Sequence, residues 1–193
     1  MRFISILLSL FPTLAAAETV EINADQVLGF ISTDLTQDGE NDRIVLFMLD
    51  EPVLSIFTRW TDGSWANPLF AEDLVEGRNY PDPDPTIALA DNGSVMVRSF
   101  ARKSDPEKME KTLTIAYRKT DGYKYARYVV AGVKYEWNYG GDPDDHRVCE
   151  INFLTRQGEI TQGPAQVVKT FYSAIGLYSV DKWPRNMIPE QCF

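Results

Sequence analysis

The stretch Thr86–Ala101, T-I-A-L-A-D-N-G-S-V-M-V-R-S-F-A, carries the strongest fold signal in this chain of 193 residues. Two runs rich in β-branched and other apolar residues flank Asn92-Gly93. An Asn-Gly pair in that position is the strongest short-range signal of a β-hairpin. The stretch therefore predicts two antiparallel strands joined at Asp91-Asn92-Gly93.

The residues after this hairpin continue the pattern. In Lys111–Lys119, Leu113, Ile115 and Tyr117 alternate with polar residues, which is the period of a half-buried strand. Thr120-Asp121-Gly122 then predicts a turn. Further strands are predicted at Tyr123–Lys134, Arg147–Phe153 and Glu159–Thr161. This order indicates an antiparallel meander.

The residues before the hairpin also predict strands. Val27–Ser32 looks extended, and Leu54–Trp60 is followed by the turn residues Thr61-Asp62-Gly63-Ser64. Arg43–Leu49 is a continuous apolar run, as expected of a central strand buried on both faces. The fold class predicted is therefore mainly β, with antiparallel blade-like sheets or a meander in a single domain.

Two segments favour short helices instead. Leu69–Val75 follows Asn67, a good N-cap, and Pro68, which suits the first helical position. Ala165–Ile175 places apolar residues at helical spacing before Gly176, although its β-branched residues also suit a strand.

The amino terminus has the pattern of a secretory signal peptide. Met1-Arg2 is a short positive start, Phe3–Leu10 is apolar, and Thr13–Ala17 ends in small residues. Cleavage after Ala17 predicts a periplasmic or secreted domain over residues 18–193. The apolar stretch is too short to span a bilayer and no later segment is long enough, so no membrane span is expected.

The charge balance excludes one class of partner. The whole chain has a formal net charge of −9, and removing the signal peptide with its single Arg gives 18 − 28 = −10. An acidic protein repels phosphate backbones, so no nucleic-acid partner is expected. The same charge favours cation binding.

The two cysteines, Cys149 and Cys192, favour a disulfide, because an even count in an exported chain is typical of paired thiols. The alternative is two reduced, buried thiols.

The segment Asp34-Leu-Thr-Gln-Asp-Gly-Glu-Asn-Asp42 predicts a cation site. Asp34, Thr36, Asp38 and Asp42 occupy positions 1, 3, 5 and 9, and the carbonyl of Glu40 at position 7 adds a fifth oxygen. Ca²⁺ prefers six to eight oxygen ligands, and the glycine at position 6 allows the sharp turn. The match to an EF-hand stops at position 12, where Val45 replaces the bidentate Glu. The alternative is an Asp/Gly-rich turn that needs no metal.

This loop resembles the calcium loop of FG-GAP/VCBS-type repeats, in which a D-x-N-x-D-G-x-x-D loop joins two strands. Asp34, Asp38, Gly39 and Asp42 match, whereas Thr36 replaces the usual Asn or Asp. The later order of hairpin, Y-R-K-T-D-G-Y-K-Y and C-E-I-N-F-L-T-R-Q-G is similar to a group of exported bacterial proteins of unassigned function. The resemblance implies a blade-like β domain, and one loop is too little for a complete propeller.

No catalytic residues are predicted. His146, the one histidine, lacks a nucleophile motif around it. We therefore expect a non-enzymatic exported β domain, stabilised by Ca²⁺, acting as an interaction or structural module for an unknown protein or glycan partner. The alternative is a small periplasmic glycan hydrolase with a carboxylate pair. Its candidate acids are Asp142, Asp144, Asp145, Glu150 and Glu159. A stacking surface for sugars would come from Trp60, Trp65, Tyr135, Trp137 and Tyr139.

Overall fold

A computed structural model describes residues 22–66, 69–72, 74–76, 83–104, 107–119, 128–139, 143–185 and 187–193. The predicted signal peptide, the Asn67-Pro68 cap and the Thr120-Asp121-Gly122 turn lie outside these residues. Within them the chain forms two antiparallel sheets, so the predicted mainly β class is confirmed. No helix in this part of the chain is long and apolar enough to cross a bilayer.

The first sheet has four strands in chain order. They are β1 (Val27–Thr33), β2 (Asp42–Met48), β3 (Pro52–Phe57) and β4 (Leu69–Ala71). The strand β2 is central, as predicted, and its Ile44 and Leu46 are fully buried in the core. Its opposite face is covered only in part, because Arg43 is exposed and Val45 half-buried, whereas Phe47 is buried. The prediction that both faces are buried therefore holds only in part.

The second sheet is a meander of seven consecutive strands. They are β5 (Thr86–Leu89), β6 (Val95–Ser104), β7 (Glu107–Tyr117), β8 (Tyr128–Tyr139), β9 (Arg147–Asn152), β10 (Gln157–Gln162) and β11 (Val167–Tyr172). A two-residue strand, β12 (Tyr178–Ser179), pairs with β8 beyond the end of β9. The predicted hairpin is confirmed: the Gly93 N–H donates to the Ala90 carbonyl at 2.9 Å, and Gly93 has a φ of 81°.

Both helix predictions are wrong. Leu69–Val75 begins with β4, which pairs with β3, and Ala165–Ile175 contains β11. The segment Val167–Tyr172 forms a strand despite the helical spacing of its apolar residues, because β-branched residues pack well on a pleated surface. The ring of Phe171 lies over Gly158 on β10, so closely that a Cβ there would be 2.3 Å from the ring. The helices that the described residues do form are 3-10 turns of three residues at Ala24–Gln26, Pro143–Asp145, Val180–Lys182 and Glu190–Cys192.

One hydrophobic core joins the two sheets and the C-terminal segment. Its fully buried members include Leu54 and Ile56 from the first sheet and Leu113 and Ile115 from the second. Burying such apolar surface is the main favourable term in folding.

The C-terminal segment crosses the second sheet and is held there by covalent and polar contacts. Cys149 on β9 and Cys192 form a disulfide, with their Cα atoms 5.6 Å apart, as predicted. The buried Lys111 ammonium donates to the Arg185 carbonyl at 2.7 Å, and the Tyr135 hydroxyl donates to the carbonyl of Met187. These contacts attach the last residues to the centre of the sheet.

Candidate functional site

The predicted cation loop joins β1 to β2 at one end of the first sheet. The two strands pair up to Thr33 and Asp42, so the loop closes a β-hairpin. Gly39 has a φ of 95°, as the sharp turn requires, and Gln37 also has a positive φ of 57°. These two left-handed positions fold the loop back on itself.

The Asp34 carboxylate organises the backbone of the loop. Its Oδ1 accepts the Asp38 N–H at 3.0 Å, and its Oδ2 accepts the Gly39 N–H at 2.9 Å. Asp38 in turn accepts the Glu40 N–H through Oδ1 at 2.9 Å. Each carboxylate oxygen has a second lone pair, so these hydrogen bonds leave acceptor capacity for a cation.

Asp42 is the buried acid of the loop. It is fully buried, and its Oδ2 accepts the Thr36 N–H at 3.0 Å while its Oδ1 accepts the Arg59 N–H at 3.2 Å. Burial raises the pKa of the Asp42 carboxyl. The two N–H donors and the Thr36 side chain oppose this rise, and the charge of Asp38 adds to it. A cation beside Asp42 would offset the cost of burying its charge.

The Thr36 hydroxyl is a buried oxygen beside the Asp42 carboxylate. The residue is 3% exposed, and its Oγ1 makes no hydrogen bond of regular geometry within the described residues, although its interaction with Asp42 lowers the pKa of that carboxyl. A buried polar group left unpaired costs about 1–3 kcal/mol. The backbone N–H of the same residue donates to the Asp42 carboxylate, which places Thr36 beside the buried acid. A buried hard oxygen next to a buried carboxylate fits a Ca²⁺ ligand set.

The carboxylates of the loop do not point towards one common position. Within the described residues, no group of three acidic, histidine or cysteine side chains is arranged to hold a metal ion. Asp34 and Asp38 are joined through one backbone hydrogen bond, whereas Asp42 lies at the base of the hairpin with Thr36. The oxygens predicted as ligands are thus present in one loop, and binding a cation would require the loop to tighten around it.

Two basic residues next to the loop were missed from the sequence. Arg59 donates its N–H to Asp42, and its guanidinium pairs with Glu40 at 3.6 Å. Lys119 donates from Nζ to the Gln37 carbonyl at 3.3 Å. Both are distant in sequence from the loop. The pairing of β2 with β3 brings Arg59 near, and that adjacency was readable from the strand order, whereas nothing local marks Lys119.

The acids proposed for hydrolysis fall into separate groups. Asp144 and Asp145 are exposed in a 3-10 turn, and Asp142 lies outside the described residues. Glu150 and Glu159 are directly opposite each other on β9 and β10. They line a shallow depression of about 700 Å³ on the outer side of the second sheet, and both are exposed.

His146 belongs to a neighbouring polar cluster. Its Nε2 lies 3.0 Å from the Glu136 carboxylate, which also accepts from Lys134 at 2.8 Å. The hydrogen bond from Lys134 lowers the pKa of Glu136; burial opposes this fall, and the hydrogen bond with His146 adds to it. No nucleophilic side chain is seen hydrogen-bonded to His146 in the described part of the chain, so the geometry describes a charge network.

The aromatic residues do not form one stacking surface. Tyr135 and Trp137 are buried in the core with rings 5.8 Å apart, and the side chain of Tyr139 lies outside what the structure describes. Trp60 and Trp65 are exposed near the cation loop, where the guanidinium of Arg43 lies 4.6 Å from the Trp65 ring centre. A sugar platform built from all five residues is therefore excluded.

No protein-family model, curated protein or solved structure matches this chain significantly. The resemblance of the loop to FG-GAP/VCBS-type repeats stays a prediction.

Proposed function

We propose that this chain is an exported, non-enzymatic β domain that binds Ca²⁺ in the Asp34–Asp42 loop and acts as an interaction or structural module. The cation would be a structural ligand: it would fix the β1–β2 hairpin and, through Asp42 and Arg59, the segment after β3. Asp34, Asp38 and Asp42 would supply carboxylate oxygens, Thr36 its hydroxyl and Glu40 its carbonyl.

The buried Thr36 hydroxyl beside the buried Asp42 carboxylate carries this proposal. An ordinary acidic turn has no need of a buried oxygen beside a buried carboxylate, and both groups cost free energy as they stand. A bound cation would compensate both costs at once. With three carboxylates and no bidentate Glu, the dissociation constant should be on the order of 10⁻⁴–10⁻³ M, as in extracellular modules.

A glycan hydrolase is the second candidate, and the pairing of Glu150 with Glu159 is the observation that favours it. Glycoside hydrolysis needs two carboxyl groups, one of them held protonated by its surroundings. Both glutamates are exposed, and the depression between them is open and shallow, which supports the module over the enzyme. Release of reducing sugars from a mixed glycan substrate, lost in Glu150→Gln, would support the enzyme instead.

Thermal melting tests the cation site. We expect millimolar Ca²⁺ to raise the melting temperature of the wild type, whereas chelator should lower it. Free Ca²⁺ at ten times the dissociation constant adds about 1.4 kcal/mol of stability, or about 4 °C for a domain of this size.

The matched variants are Asp38→Ala and Asp62→Ala. Both acids lie in Asp-Gly turns, and Asp62 accepts hydrogen bonds only from Ser64 in the described part of the chain. The Ca²⁺ response should disappear in the first variant and persist in the second. An equal response in both would contradict the site, and so would a wild-type melting temperature indifferent to Ca²⁺.

A further inference from the structure

The strand β11 differs from the other outer strands of the two sheets. The outer strands are β1 and β4 in the first sheet and β5 and β11 in the second. Both β4 and β5 are short, with three and four residues. The longer β1 lies beside β5, where a Cβ at Gly29 would be 2.6 Å from the Ile87 side chain. The remaining edge, β11, has six residues and pairs with β10 alone in the described part of the chain.

The side chains of β11 are unusually exposed for their type. Val167 is 56% exposed, Val168 54% and Tyr172 65%. Folded proteins usually shorten, cover or charge such an edge, because its free N–H and C=O groups accept another strand. The single charge on β11 is Lys169, and no proline interrupts the strand. This edge is therefore suited to strand addition.

We propose that β11 pairs antiparallel with β11 of a second copy of this chain. Side chains alternate along a strand, so Val168, Thr170 and Tyr172 share one face of the sheet. A two-fold axis perpendicular to the sheet at Thr170 places Thr170 opposite its own copy and Val168 opposite Tyr172. Thr–Thr and β-branched–aromatic cross-strand pairs are both stabilising.

A register centred on Lys169 is less favourable. An axis at Lys169 would place this lysine directly opposite its copy, and like charges in that position destabilise a strand pair. The sequence of β11 thus favours the Thr170-centred register, in which both exposed apolar side chains of the outer face gain a partner.

The overall charge sets the conditions for this association. Two copies with a formal charge of −9 each repel one another, and salt screens this repulsion. The contact is a single strand pair, smaller than the roughly 1,200 Å² of a standard stable interface. The dimer is therefore weak, depends on protein concentration and is strengthened by salt.

Cysteine trapping tests the register. Directly opposite residues of an antiparallel pair have Cα atoms about 4.5–5.5 Å apart, within disulfide range. Under mild oxidation Thr170→Cys should form a covalent dimer at least about tenfold faster than Val168→Cys, although Val168 is also exposed on this strand. The double variant Val168→Cys/Tyr172→Cys should form the dimer again. Equal rates for the two single variants would overturn the register.

Sedimentation of the wild-type chain tests the dimer itself. We expect a monomer–dimer equilibrium that shifts towards dimer as salt is added. Val168→Lys should abolish it, whereas the matched variant Leu89→Lys, at a position 49% exposed on β5, should leave it unchanged. A wild type that stays monomeric at high concentration and high salt would overturn the proposal. So would a monomer whose β11 accepts only a foreign extended peptide.

Discussion

The Asp34–Asp42 loop and the Cys149–Cys192 bridge each hold two parts of the chain together, the loop by hydrogen bonds and the bridge by a covalent bond. The loop closes a hairpin between neighbouring strands and uses carboxylates that accept backbone N–H groups. The bridge ties residues 43 apart in sequence and is covalent. The contribution of the loop to stability should therefore depend on pH and cations, whereas the contribution of the bridge should depend on redox conditions.

Removing the bridge is expected to have the largest effect. The variant Cys149→Ala/Cys192→Ala should lose about 4 kcal/mol of unfolding free energy, because the crosslink closes a long loop in the unfolded chain. Denaturant titration of the wild type and the variant measures this loss. A difference below about 1 kcal/mol would show that the buried contacts around the C-terminal segment hold it without the bridge.

The free energy of unfolding should also depend on pH through Lys111, which contacts the C-terminal segment at Arg185. Burial lowers the pKa of Lys111, and the Glu76 carboxylate opposes this fall. The folded chain then binds the proton less tightly than the unfolded chain, whose lysine titrates near 10.5. The unfolding free energy should therefore rise with pH between the folded pKa of Lys111 and 10.5. Each unit of lowering adds about 1.4 kcal/mol to this rise.

The variant Lys111→Met isolates that dependence. Met fills a similar volume without a titrating group, so the rise should disappear in the variant. Denaturant titrations below pH 10 measure the rise, and the nearby Tyr135 does not contribute to it because burial raises its pKa. The same slope in the wild type and the variant would mean that Lys111 is not its source.

At the loop, Thr36→Val separates the structural from the cation-binding role of the hydroxyl. Valine keeps the shape of threonine and removes the buried oxygen. In chelator the variant should be as stable as the wild type or more stable by about 1 kcal/mol. In Ca²⁺ its gain in melting temperature should be smaller than that of the wild type.

Thr36→Ser, which keeps the oxygen, is the control and should retain the Ca²⁺ response. A full response in Thr36→Val would remove the hydroxyl from the ligand set.

The fold was readable from sequence wherever strand signals were local. The Asn92-Gly93 turn and the alternation in Lys111–Lys119 fixed the meander, because turn geometry and side-chain period depend on neighbouring residues. Ala165–Ile175 was misread because its apolar spacing also fits a helix. What decides in favour of a strand is the packing of Phe171 against Gly158 on β10, and no local pattern reveals that contact.

The sequence identified the residues of the candidate loop, but not their burial or the residues that contact them. Spacing alone placed Asp34, Asp38, Gly39 and Asp42 in one loop, and their role as a cation site stays a prediction. The burial of Asp42, the contact of Arg59 with it and the burial of the Thr36 hydroxyl depend on the sheet. The aromatic residues illustrate the same limit: their strand spacing does not distinguish the buried Trp137 from the exposed Trp65.

The pH dependence of the loop should be opposite in sign to that of Lys111. Because the pKa of Asp42 is raised above 3.8, the folded chain binds its proton more tightly than the unfolded chain. The stability from Asp42 is therefore largest in acid and is lost as pH rises through the folded pKa. Ca²⁺ should weaken this loss, since it favours the charged carboxylate. Denaturant titrations with Ca²⁺ and with chelator between pH 4 and 7 measure the difference, and identical pH profiles would contradict a cation beside Asp42.

A crystal structure of the wild-type chain grown in millimolar Ca²⁺ would show whether the Asp34–Asp42 loop binds the ion. We predict an ion in the Asp34–Asp42 loop with oxygens about 2.3–2.6 Å away. These oxygens should come from Asp34, Thr36, Asp38 and Asp42 and from the Glu40 carbonyl, and anomalous scattering would identify the ion. A loop in which the Asp38 and Gly39 N–H groups still donate to Asp34, with only water beside Asp42, would contradict the cation site and leave an ordinary acidic turn.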